Sequence, residues 1–212
     1  MIKRPAKPIL ESKYERFKYR LEEISNIWSE RNLTLFLLGI ATGYRLQDLV
    51  DITIAGIKEA LSNKQFEIQE KKQYRAWQTY IKKNPRALKK IPNKRKHGIE
   101  PQLETILKKY IKGKKNSEYA FPSQKGENSN YLRAQSYSDI LKKVAEDKEI
   151  NLKNITGHSL RKTYARRLYE ATNDIEYVRI ALGHLSIEVT KKYLGLDDEV
   201  KEGAAKIAAR KL

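Results

Sequence analysis

Three phrases of the chain hold residues able to work on a phosphate. TGHSLRKTYARRLY places His158 and Arg161 three residues apart at the entrance of a helix whose buried face is marked by Leu160, Tyr164 and Leu168. Gly157 breaks the chain before it, and Ser159 can cap it. A helix N-terminus carries unpaired N–H groups and the positive end of the dipole, so it favours an anion. The guanidinium of Arg161 adds a planar fork of donors suited to phosphate oxygens. YVRIALGHLSIEVTKKYLGL sets His184 on a turn between Gly183, in the position of a left-handed C-terminal residue, and a cap at Ser186, with Tyr193 in the last turn of the next helix. ATGYRLQDLV puts Arg45 directly after an apolar helix, a costly place for a cation unless it is paired or reaches a ligand; Asp48, three residues on, can pair with it. Each phrase alone also fits an ordinary structural role. His158 and Arg161 fit surface polar residues, His184 a satisfied core histidine, Tyr193 a packing aromatic among thirteen tyrosines, and Arg45 a structural ion pair.

The elements that must position these residues read as mostly helical. Residues 12–30 carry Tyr14, Phe17, Leu21, Ile24, Ile27 and Trp28 at helical spacing. Asn32 is an N-cap for a second helix, LTLFLLGIATGY, ending near Gly43, whose nearly all-round apolar character places it in the core. FEIQEK, residues 66–71, alternates as a short strand, and residues 96–100 read as a second one. The long basic stretch between them keeps helical spacing at Tyr74, Trp77 and Ile81 until Pro85. A helix over 102–111 and a loop at SQKGENSN follow, then helices over 138–148, 159–171, 175–182, 187–194 and 198–211. The expected fold is mainly α with a small antiparallel β-sheet, an α+β domain.

Charge narrows the partner. The 212 residues include 44 Lys and Arg against 26 Asp and Glu, a net +18, and release of condensed counterions rewards such a surface on a polyanion. From Lys71 to Lys115 there are sixteen bases and two acids, a local +14, and the rest of the chain holds only +4. Solvation of an ordinary surface is the competing reading, and charge by itself does not separate DNA, RNA and an acidic membrane face. With no cysteine, a disulfide, a thiolate nucleophile and a Cys-ligated zinc site are excluded. No run approaches a membrane span and the basic start lacks the features of a secretory signal, so the cytoplasm is the expected compartment, in association with the nucleoid if the polyanion is DNA.

Taken in order, the three phrases resemble the tyrosine recombinases, the site-specific DNA strand-exchange enzymes that include phage and transposon integrases. The family's Arg after a Thr-Gly pair, with an acid three positions later, is matched by Thr42, Gly43, Arg45 and Asp48. Its second box, a His and an Arg running into a helix, is matched by His158 and Arg161; its Leu-Gly-His with a Tyr nine positions on is matched by Leu182, Gly183, His184 and Tyr193. EYAFPS, residues 118–123, resembles the segment that precedes the second box. The resemblance covers roughly residues 33–196 and is specific as an ordered set even though each piece is weak.

The resemblance implies that Tyr193 is the nucleophile of a covalent 3′-phosphotyrosine, that Arg45 and Arg161 grip the phosphate, that His184 donates to it and that His158 moves the phenol proton. The family's lysine on a turn of the small sheet is best matched by Lys72, with Lys71 the competitor; its usual Lys-Thr-Gly continuation is replaced here by Gln73 and the basic stretch. No metal or other cofactor is implied. Lys71, Arg75, Lys82, Lys83, Lys89, Lys90, Lys94, Arg95 and Lys96 are expected to lie along DNA beside the site.

The expected organisation is a linker and helix over 1–30, a catalytic domain over 31–197, and a C-terminal helix over 198–212, whose apolar face of Val200, Ala204, Ile207 and Ala208 fits packing on its own domain equally well and for which the resemblance implies exchange between protomers. The expected partners are double-stranded DNA at specific sites and three further copies in a tetramer on DNA, the free protein being a monomer or weak oligomer, with no membrane. Most family members carry a clamping domain ahead of the catalytic one, so the chain reads either as a catalytic fragment or as a short recombinase of the phase-switch invertase kind. An integrase or excisionase for a mobile element is the leading function; a type IB topoisomerase and an inactive DNA-binding regulator are the competing classes.

Overall fold

The structure, a computed structural model, describes residues 5–124, 130–196, 203–204 and 207–209. In chain order its elements are α1 (Glu11–Ser25), α2 (Ser29–Thr42), α3 (Leu46–Leu49), α4 (Ile54–Ser62), β1 (Gln65–Ile68), α5 (Lys71–Lys83), β2 (Arg95–Gly98), α6 (Pro101–Ile111), α7 (Ala134–Ala145), α8 (Gly157–Thr172), α9 (Ile175–Leu182) and α10 (Ile187–Leu194). The expected α+β class is the one observed: helices around one antiparallel pair of strands.

Apolar residues on nearly every side of α2 bury it against α1, α6 and α8, with Leu35, Phe36 and Leu38 wholly inside. Phe17 of α1 stacks on Phe36 at 5.5 Å between ring centroids. Ile9, Phe17 and Leu21 share this core, and the Ile9 N–H donates to Thr163 Oγ1 at 2.9 Å, which ties the N-terminal segment onto α8. Residues 9–25 therefore pack against α2, α7 and α8.

The helix expected over 12–30 is interrupted at Asn26, whose φ of 47° leaves the helical region, a departure that Asn tolerates better than most side chains. A turn of 3-10 helix, Asn26–Trp28, intervenes and α2 starts at Ser29, so Asn32 lies inside the helix instead of capping it. Its amide accepts from Arg31 and donates to Ser25 Oγ at 2.9 Å.

Strands β1 and β2 pair antiparallel with Gln65 opposite Gly98 and Ile68 opposite Arg95. The strand expected through Lys71 ends at Ile68, because Lys71 already opens α5 and its N–H is taken by Asp48 Oδ1 at 2.9 Å. The second strand is Arg95–Gly98, a residue or two earlier than its expected position. Between them α5 buries no residue, and its aromatic side chains serve only the insertion itself. Tyr74 stacks on Trp77, and the Trp77 indole donates to the Lys89 carbonyl at 2.9 Å. Past α5 the side chain of Leu88 is 99% exposed.

Helix α7 begins four residues before its expected start, and α8, α9 and α10 fall close to where the spacing puts them. These last three share a smaller cluster of Ala165, Val178 and Leu182, against which Tyr164, Leu168 and Tyr193 pack. The expected C-terminal helix, with its exchange between protomers, lies for the most part outside the described residues. Among the described residues no helix is long and apolar enough to cross a membrane.

Candidate active site

Helix α8 begins with a reciprocal cap. Thr156 accepts from the His158 N–H at 3.2 Å while its own N–H donates to Ser159 Oγ at 3.0 Å. Gly157 is required beside it, since a Cβ there would strike Leu46 of α3. This close seat brings the start of α8 against the residues that follow α2. His158 stands exposed at the mouth of the site, and Arg161, one turn further in, is 1% exposed.

Arg161 does structural work on two helix ends at once. Its Nη1 donates to the Gly43 carbonyl at 2.7 Å and its Nη2 to the Leu182 carbonyl at 2.5 Å. Arg95 repeats the arrangement one residue earlier on each helix, with Nη2 on the Thr42 carbonyl and Nη1 on the Ala181 carbonyl, both at 2.6 Å, and its guanidinium 3.9 Å over the Tyr44 ring. The last carbonyls of a helix have no partner within it and sit at the negative end of its dipole, so a guanidinium there satisfies both needs. Two arginines thus fasten the C-terminal ends of α2 and α9 to each other, and with them the chain carrying Arg45 to the chain carrying His184. Gly43 permits the approach: its φ is 60°, and a Cβ would run into the Tyr164 ring.

Both guanidiniums meet the same buried carboxylate. Glu70 Oε1 lies 3.0 Å from Arg161 Nη1 and 3.9 Å from Arg95 Nε, and Oε2 lies 2.7 Å from Arg45 Nη1. The ion pair expected between Arg45 and Asp48 is therefore replaced by one between Arg45 and Glu70, Asp48 being turned to the start of α5. Sequence reasoning missed Glu70 altogether; its only signal was its place as the last acid before a run of 29 residues, Lys71 to Ile99, that has none. Arg45 and His158 line a cavity of about 560 Å³ together with Gln47, Gln135, Ser138 and Thr156.

The two candidate lysines separate. Lys71 Nζ is held by Asp51 at 2.6 Å and by the Gln47 carbonyl at 2.5 Å. Lys72 is exposed, and its charge reaches both His158 and His184. It stands in the first turn of a helix instead of on a tight turn between strands.

His184 and Tyr193 pack edge to face at 5.2 Å, and His184 Nδ1 lies 3.1 Å from the hydroxyl of buried Thr190. The Tyr193 hydroxyl is buried beside Arg161 without a well-formed hydrogen bond, and Lys162 Nζ sits 5.0 Å from the ring centroid. Burial pushes the phenol up to about 12, against the pull of Arg161 and Arg45. Burial first, then the charges of Arg161 and Arg45, hold His184 down to about 4. His158 is lowered by desolvation and by Arg45, Arg161, Lys72 and Lys162. Burial and Arg45 lower even Arg161, to about 10. The six sequence candidates Arg45, Lys72, His158, Arg161, His184 and Tyr193 therefore share one electrostatic environment. Cations predominate in it, and Arg161 and Arg45 act on the Tyr193 phenol.

A sequence model described as the phage integrase family matches residues 11–199. The chain belongs to this family, the tyrosine recombinases. It is 28% identical over 84% of its length to the probable integrase/recombinase YoeC of Bacillus subtilis (strain 168), covering 85% of that protein. It is also 28% identical over 84% of its length to the tyrosine recombinase XerS of Streptococcus uberis (strain ATCC BAA-854 / 0140J), but spans only 46% of that longer protein. Its fold is that of the XerH site-specific recombinase bound to palindromic difH substrate in a post-cleavage complex, with a TM-score of 0.63 at 22% identity over 97% of this chain and 54% of XerH.

Within this member of the family the basic candidates fall into two groups. Arg75, Lys82, Lys83, Lys89, Lys90 and Lys94 are exposed on or after α5, Lys89 over the Tyr80 ring and Lys96 paired with Glu67 at 2.8 Å. Arg95, counted among the DNA-facing bases from its place in the run, is corrected: strand alternation turns it inward, where its donors are taken by backbone carbonyls. Lys71 is likewise committed to Asp51 and Gln47. Among the described residues no group of three or more His, Asp or Glu could hold a metal ion.

Proposed function

We propose that this protein cuts and rejoins double-stranded DNA at specific sites, as an integrase-type recombinase of a mobile element, through a covalent link between Tyr193 and a 3′ phosphate. The observation that carries the reading is the Tyr193 hydroxyl buried beside Arg161, in the field of Arg45, with His184 against its ring. A phenol whose pKa lies this high does not ionise ahead of attack. Its oxygen forms the bond to phosphorus as its proton passes to neutral His158, whose lowered pKa keeps it able to accept.

As the P–O5′ bond breaks, the Lys72 ammonium gives its proton to the 5′ oxygen. Arg45 and the N–H donors that Arg161 has not given to the protein bear on the non-bridging oxygens, where charge accumulates. The Thr190 hydroxyl gives its proton to the Ser186 carbonyl at 3.3 Å and holds the His184 ring through Nδ1, and the negative phosphate draws a proton onto Nε2, from which His184 donates to it. A 5′ hydroxyl from another strand reverses the step and completes the exchange. The exposed bases of α5 and residues 84–94 run along the duplex beside the site, and four copies assemble on paired sites.

The test is a suicide substrate whose cut strand cannot religate. Wild-type protein accumulates a protein–DNA adduct, and Tyr193→Phe binds DNA with similar affinity and forms none. Full nicking by Tyr193→Phe would sink the reading, and relaxation of supercoiled DNA without site preference would move the protein to the topoisomerases.

A further inference from the structure

Glu70 takes no part in the chemistry proposed above, and it is the carboxylate on which that site's arginines meet. It is 1% exposed, in the short link between β1 and α5. Its two oxygens face different guanidiniums, Oε1 that of Arg161 at 3.0 Å and Oε2 that of Arg45 at 2.7 Å, with Arg95 at 3.9 Å on the first. Although Glu70 occupies the N-cap position of α5, its side chain makes no capping hydrogen bond; Asp48 takes the Lys71 N–H from across the site. The carboxylate is thereby left to the arginines. An acid this deep is tolerated only when paired, and three cations this close need a counter-charge, so each side accounts for the other's burial.

The same arrangement sets the separation of the two guanidiniums before any phosphate arrives. Of the five N–H donors of Arg161, three hydrogen bonds go to Gly43, Leu182 and Glu70, which fixes the direction of the remainder. Donors fixed in advance need no rearrangement when charge develops on the phosphate. A negative charge beside the phosphate site also opposes ground-state binding of DNA. The cost falls on affinity and the benefit on rate.

We propose that Glu70 is a positioning residue for strand transfer, a buried carboxylate that holds Arg45 and Arg161 at the spacing the phosphate requires and that weakens DNA binding in doing so. The inference rests on the strand-transfer reading. The experiment measures two quantities for wild type, Glu70→Gln and Glu70→Asp. One is the single-turnover rate of adduct formation on the suicide substrate; the other is the dissociation constant for the same DNA in a Tyr193→Phe background, where no cleavage intervenes.

The expected result for Glu70→Gln is cleavage slower by about tenfold or more with DNA bound as tightly as by wild type or more tightly. Glu70→Asp, which keeps the charge and shortens the reach, should fall between the two in rate with its affinity unchanged. Glu70→Gln cleaving within about twofold of wild type, or losing affinity by the same factor as rate, overturns the proposal. If Glu70→Gln does not fold, Glu70→Asp decides: a wild-type rate overturns the proposal, and a slower rate at unchanged affinity supports it. Absence of adduct from the wild-type protein itself would overturn the strand-transfer reading and this inference with it.

Discussion

Arg161 and Arg95 lie inside the protein with their donors on helix-end carbonyls and Glu70, whereas the bases of α5 and residues 84–94 stand in solvent with few partners. The two regions carry the same kind of charge, and burial gives it opposite uses. Inside, a guanidinium is a fastener that joins α2 to α9, and in the proposed mechanism only the donors that Arg161 has left over meet the phosphate. Outside, an ammonium contributes little to the fold and gains most when it displaces counterions from a polyanion. Sequence position does not distinguish them. Arg95 lies in KRK, between Lys94 and Lys96, and strand alternation alone turned it inward.

The contrast is broken most directly at Arg161. Arg161→Ala leaves Glu70 short of a partner and two helix-end carbonyls unsatisfied, and should cost about 3–5 kcal/mol in urea unfolding as well as cleavage. Arg161→Lys keeps the charge without the fork and should cleave far more slowly than wild type at nearly intact DNA affinity. Wild-type stability in Arg161→Ala would remove the fastening role. Next in size is the cap of α8: Thr156→Ala should destabilise by about 1 kcal/mol and slow cleavage by loosening the seat of His158. On the exposed side, replacing Lys82, Lys83, Lys89 and Lys90 by Gln should change stability by less than about 0.5 kcal/mol. The same four changes should flatten the dependence of log affinity on log salt by up to about 3.5. A loss of stability comparable to that of Arg161→Ala would erase the distinction between the regions.

A smaller effect sharpens the same point through protons. His184 is held down to about 4 in the fold and titrates near 6.5 when unfolded, and His158 shifts in the same direction. A lowered histidine contributes nothing above pH 6.5, and the free protein loses stability as pH falls from 6.5 toward 4, where only the unfolded chain takes up the proton. A phosphate in the site raises His184 again, so DNA binding should take up protons and tighten as pH falls through that window. Calorimetry at pH 5.5 in two buffers of different ionisation enthalpy measures the uptake. None would mean that His184 does not face the phosphate.

Much of the site was legible because its signals are local. A glycine before a His and an Arg at a helix start, a Leu-Gly-His turn and a Tyr nine residues on each follow from helix punctuation, and the helices bearing them formed where the spacing puts them. The elements that were misjudged depend on distant partners. The strand over 66–71 stops early because Asp48 caps a helix there, and the helix over 12–30 breaks because Asn26 turns the chain so that α1 can lie on α2.

Sequence by itself determined the helical class, the charge excess between Lys71 and Lys115, and the ordered residues Arg45, His158, Arg161, His184 and Tyr193, because side-chain type and helical period are local properties. Only the tertiary structure decided that Arg45 pairs with Glu70 instead of Asp48, that Lys71 is held by Asp51 and the Gln47 carbonyl while Lys72 is exposed, and that Arg95 faces inward. Each of those outcomes depends on which groups compete for a donor or a charge once the chain has closed, and no spacing along the chain records that competition.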